Sequence, residues 1–87
     1  MENKYQLVKI KWEDAVANAN WFNYSEVQGW AANSRCEVEE VGYLIFQNKD
    51  YAILASAIAK KTPLAEEKIG QLHLIPNSVI ISLDKIL

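Results

Sequence analysis

The chain has one cysteine, one histidine, two prolines and three glycines in 87 residues, and each scarcity removes a class of function. Cys36 has no second cysteine to pair with, and a lone thiol suits a reducing compartment, so a cytoplasmic protein is expected. Zinc and iron sites draw three or four ligands from Cys, His and carboxylates, and one His with one Cys falls short; neither a metal nor a cofactor is expected. Gly29, Gly42 and Gly70 are too scattered to form a phosphate-cradling loop, a dinucleotide fingerprint or a nucleophile elbow. Positive charge is also lacking: nine Lys and Arg face eleven Asp and Glu, a net charge of −2, which disfavours bulk coating of DNA by counterion release. The longest stretch without Asp, Glu, Lys or Arg, residues 69–83, contains Gly70, His73, Pro76 and Asn77. It is shorter than the roughly 18 residues of a membrane helix. The first five residues, Met-Glu-Asn-Lys-Tyr, are polar, and no secretory signal is read from them.

Half of the residues, 51%, are apolar, and a chain of this length forms one domain, residues 1–87. Small domains bury only a little over 60% of their unfolded surface, so a homo-oligomer is expected to supplement the core. Val8, Ile10 and Trp12 alternate with Lys9 and Lys11, the period-two mark of a half-buried strand over residues 5–12. Residues 13–17 could form a helical turn, and the Asn-rich stretch after them reads as a loop. Ser25, with Gln28 three residues on, reads as the cap of a helix of about two turns with Val27, Trp30 and Ala31 on one face, ending near Asn33. Residues 36–47 return to strand character, with a bulge or bend expected between Glu39 and Gly42.

Asn48-Lys49-Asp50 reads as a tight turn into residues 51–59, where a strand is favoured over an Ala-rich helix because a hairpin is the simplest continuation. Residues 60–68 read as a loop with a helical turn from Leu64, followed by a strand from Leu72 that Pro76 ends and a last strand from Val79 to Leu83. The expected class is therefore mainly β (α+β): a small, strongly bent five-stranded sheet or an SH3-like or Sm-like barrel, with one short helix after strand one.

Candidate chemistry is sparse. Glu13-Asp14, Glu39-Glu40 and Glu66-Glu67 are adjacent pairs, which on extended chain point to opposite faces; most read as solvated, and they do not form an acid–base couple. His73, between Leu72 and Leu74, faces the opposite way from both and reads as a surface or edge-strand histidine. What stands out is three Trp, one Phe and one Tyr between Trp12 and Trp30, interleaved with Asn18, Asn20 and Asn23. Trp12 and Trp30 are spaced for the core; Trp21, Phe22 and Tyr24 pack if their loop folds over one end of the sheet, and otherwise Trp21 and Tyr24 with Asn23 are placed to stack on and read a ligand. Arg35, Lys60 and Lys61 are the candidate phosphate contacts, provided the fold brings them to one end.

Trp12-Glu13-Asp14-Ala15, the following Trp21, Val41-Gly42-Tyr43-Leu44, and the ending Ile75-Pro76, Ile80, Ile81 and Leu87 resemble a pattern in small accessory proteins of phages and prophages. That resemblance carries no catalytic residues. It implies stoichiometric binding, either of a host protein or of a nucleotide signal made by host defence. The expected function is a non-enzymatic binding module that sequesters a small nucleotide-like immune signal. The alternatives are a protein–protein inhibitor of a host enzyme and an Sm/SH3-like nucleic-acid binder.

Overall fold

A computed structural model describes residues 4–86; Leu87, one of the residues in the phage-like pattern, lies outside them. The elements run β1 (Gln6–Asp14), α1 (Tyr24–Asn33), β2 (Cys36–Gln47), β3 (Tyr51–Ala59), β4 (Lys68–Pro76), a 3₁₀ turn (Asn77–Val79) and β5 (Ile80–Lys85). All five strands join one antiparallel sheet in the order β4-β3-β2-β1-β5. The sheet is not closed into a barrel: β4 and β5 are its two edges. Among the described residues no helix is long and apolar enough to cross a membrane.

Period-two alternation decides which side chains share a face. Val8, Ile10 and Trp12 point inward from β1, and Leu44, Leu54, Ile75, Ile80 and Leu83 meet them from the other strands. Among the described residues Val8, Ile10, Leu54 and Ile75 form the buried cluster, and Gly42, Ala52 and Ala55 are also buried, which makes a thin core. β2 pairs with β1 in unbroken register from Gln6↔Leu44 to Asp14↔Cys36, yet meets β3 only from Tyr43 onward. The first half of β2 thus parts from β3 at Gly42. An added Cβ on Gly42 would stand 3.0 Å from the Ala55 carbonyl oxygen and 3.3 Å from the Leu54 side chain. The missing side chain is what allows the two strands to approach there.

The bulge or bend expected between Glu39 and Gly42 does not interrupt the β1 ladder, and the irregularity in β2 falls later, between Leu44 and Phe46. Other boundaries move for local reasons. Residues 13 and 14 extend β1 because Glu13 and Asp14 find partners in Glu37 and Cys36, which replaces the expected helical turn. The helix is capped by Asn23 instead of Ser25: its Oδ1 accepts from the Glu26 backbone N–H at 3.0 Å, and Glu26 Oε1 accepts from the Asn23 N–H at 3.1 Å. That reciprocal pair starts α1 two residues earlier than a Ser25 cap would. Residues 60–67 hold a bridge between Thr62 and Ala65 in place of a helical turn, and β4 begins at Lys68, four residues before Leu72.

α1 buries none of its residues and has no extended packing against any strand. With the linker before it, it forms an arm, residues 15–33, that leaves the sheet between the paired ends Asp14 and Cys36. The molecule is accordingly long, 62 × 25 × 21 Å. Its radius of gyration is 17.8 Å, against about 12 Å for a self-contained domain of this length.

Candidate functional site

The arm carries the aromatic surplus. Trp21 is 99% exposed and Tyr24 80%, while Val27 and Phe22 are also open to solvent. Phe22 lies against Trp30 with ring centroids 6.3 Å apart, so part of the aromatic set packs within the arm itself. Asn23 serves the helix cap, and its Oδ1 accepts from Ser25 Oγ as well, at 2.8 Å. Its side-chain oxygen is therefore engaged in local structure, leaving the amide nitrogen for any contact outside.

Where the arm returns to the sheet, a shallow groove of about 380 Å³ opens between the end of β1, the last turn of α1 and the 3₁₀ turn. Val16, Trp30, Ala31 and Val79 supply an apolar floor, and Glu13, Asp14, Ser34 and Arg35 form the polar part of its wall. Arg35 Nε donates to Glu13 Oε1 in a close ion pair. That hydrogen bond, reinforced by the guanidinium charge, holds the Glu13 carboxyl below the usual carboxylate range and raises Arg35 in turn. The wall thus presents one cation, already paired, beside two carboxylates.

Lys60 and Lys61 lie on the connection between β3 and β4 and do not line this groove. Of the six candidate ligand residues, the fold puts Trp21, Asn23 and Tyr24 together on the arm and Arg35 at its root, with the two lysines on a different connection.

A second polar cluster sits on the inner face of the sheet. Glu40 accepts from Trp12 Nε1 at 3.2 Å and from His73 Nδ1, which stands 2.8 and 2.9 Å from its two oxygens. Trp12 and His73 meet edge to face with ring centroids 5.3 Å apart. Three strands, β1, β2 and β4, are tied together by one carboxylate, and β3 is bridged from above. His73 does lie on an edge strand, as expected, but as a half-buried inward residue, while its neighbours Leu72 and Leu74 are exposed. The opposite-facing relation to the two leucines is the one read from the sequence; which face is the core is reversed.

Glu40 and the groove residues Glu13, Val16 and Val79 were missed as candidates. The signal for Glu40 was available: Val38, Glu40 and Gly42 share the inward phase of β2, opposite Trp12, Ile10 and Val8 of β1. Reading Glu39-Glu40 as a solvated pair hid it. For Glu39 that reading holds, since it lies on the outer face between Lys9 and Lys11 at 3.4 and 3.6 Å. Those ammonium groups, Lys9 first, hold its carboxyl below the ordinary range.

No set of three or more His, Cys, Asp or Glu side chains positioned for a metal ion occurs among the described residues. No protein-family model, curated protein or solved structure matches the chain.

Proposed function

We propose that this chain is a non-enzymatic binding module that captures a small nucleotide-like ligand between copies of itself, in the manner of an accessory anti-defence protein of a phage or prophage. The observation that carries this reading is the arm: Trp21 and Tyr24 stand almost fully exposed on a capped helix and its linker, with no contact surface of their own chain to cover them. An aromatic ring left in water at that cost is suited to stacking on a base, worth roughly 1–3 kcal/mol per base. Arg35 at the root of the arm is the cation that lines the groove and would meet a phosphate, once it leaves Glu13. The strand order β4-β3-β2-β1-β5, with a 3₁₀ turn before the last strand, supports reading the bent sheet as an opened SH3-like or Sm-like barrel.

The test is a thermal-shift panel of cyclic and linear nucleotides on the purified protein, because a ligand that binds only the folded state raises its melting temperature by mass action. A rise that Trp21→Ala or Arg35→Ala removes supports the reading. A flat response across the panel overturns it.

The groove favours a second reading, inhibition of a host protein. With Arg35 paired and Glu13 and Asp14 beside it, a phosphate entering the groove must compete with a carboxylate, whereas an apolar or cationic peptide side chain need not. A stoichiometric complex with one host enzyme, lost in Trp30→Ala, would favour this reading over ligand capture.

A further inference from the structure

We infer that the arm of one chain lies on the outer sheet face of a second copy, around Phe46, Ile53, Leu72 and Leu74, in a reciprocal exchange. The inference deepens the reading above, on which it rests for treating the arm as a contact element, by naming what covers it.

Cross-strand register defines the receiving face. Phe46, Ile53 and Leu74 are partners across β2, β3 and β4, and Tyr43, Ala55 and Leu72 are partners one row along. Partners in register project to the same face, here the one opposite the core. Phe46, Leu72 and Leu74 are each at least half exposed, and no charged residue stands in either row. The arm matches this surface in kind. Glu26 is its single charge, and Trp21, Tyr24 and Val27 are exposed on it.

Surface area points to a second copy as the occupant. A folded monomer of 9.9 kDa is expected to expose about 5,200 Å², whereas this chain exposes 6876 Å². The excess of about 1,700 Å² is two patches of about 800 Å², the size each partner contributes to a standard interface. One chain thus carries one uncovered arm and one uncovered face. A two-fold exchange covers both on both chains with a single operation, and removes in total about 3,400 Å², within the range of obligate homodimers. A foreign partner would have to cover two separate surfaces at once.

The geometry also keeps the arm from its own face. The arm is rooted at Asp14 and Cys36, and Phe46 lies ten residues further along β2, roughly 33 Å away at strand spacing. That separation along the sheet is what an antiparallel pair of copies spans when each arm lies over the far end of the other.

The experiment uses the full chain without nucleotide. Sedimentation of the unmodified protein at micromolar concentration is expected to give twice the chain mass or a closed multiple of it, and Trp21→Ala with Tyr24→Ala to give a monomer that keeps its β-sheet signal. In a Cys36→Ser background, a tagged Tyr24→Cys chain is mixed with an untagged Leu74→Cys chain and oxidised; a disulfide between the tagged and untagged chains is expected. A monomeric parent chain overturns the inference, and so does an oligomer without that cross-link. Failure of the ligand reading is read separately: an exchanged dimer that no nucleotide stabilises leaves the exchange standing, and a monomer that a nucleotide stabilises removes the exchange and the placement of the ligand between copies but leaves nucleotide binding itself.

Discussion

Gly42 and Glu40 both stand on the inner face of β2, and neither is a large apolar residue. The backbone of Gly42 has no left-handed φ, so its need is space: the Ala55 carbonyl leaves 3.0 Å where a Cβ would stand. Gly42→Ala is expected to destabilise the protein by about 1–3 kcal/mol, the range for overpacking a tight site, as read from urea unfolding. Glu40 gathers two donors from strands on either side of β3, which is why one acidic residue can face a thin core. At the arm root, Glu13 provides the pH test. Arg35 lowers its folded pKa beneath the unfolded value, so its contribution is complete above the ordinary glutamate range and is lost as pH falls through the lowered value. In Arg35→Ala the Glu13 titration followed by side-chain NMR is expected to move up to the ordinary range. An unchanged midpoint would mean that the ion pair does not persist in solution.

At the scale of elements, strands and helix are stabilised in different ways. Each strand is held by neighbours on one or both sides, and tertiary pairing overrides weak local preference. The Ala-rich β3 is the example, a run with helical composition that lies as a strand between β2 and β4. α1 has no such support in its own chain and depends on its capping box and on whatever covers it. Asn23→Ala is therefore expected to cost the helix about 1 kcal/mol and to reduce the helical circular-dichroism signal. In the monomeric Trp21→Ala, Tyr24→Ala background, where no second copy covers the arm, the unfolding transition of the sheet, followed by Trp12 and its neighbours, should shift far less. A fully cooperative loss of sheet and helix together would contradict an independently held arm.

Strand order and outline are properties of the whole molecule, and both bear on stability. A buried cluster of Val8, Ile10, Leu54 and Ile75 and a 62 Å outline describe a chain whose own core is small for its length. If association supplies the missing burial, the melting temperature must depend on concentration, because mass action stabilises the associated folded state. Raising the chain concentration a hundredfold is expected to raise the melting temperature by several degrees, and Trp21→Ala to flatten that dependence. Calorimetry at two concentrations is sufficient.

Much of this was legible in the residues themselves. Alternation in β1, the turn at Asn48-Lys49-Asp50 and the stop at Pro76 are encoded by neighbours in sequence, so the number of strands, their sequence and the position of the single helix could be read directly. The exposure of Trp21 could not, because an aromatic loop folded over the sheet and an aromatic arm projecting from it have the same local sequence. Nor could the role of Glu40 or His73: whether the leucines beside His73 or the imidazole itself faces the core is set by register with β3, a relation between distant segments. The scarcities of cysteine, histidine, glycine and positive charge excluded whole classes of chemistry, since those depend on residue types being present at all. Which of the remaining residues meet, and which are left uncovered, was decided only by the tertiary structure, because side-chain proximity and solvent exposure arise when separate strands pair.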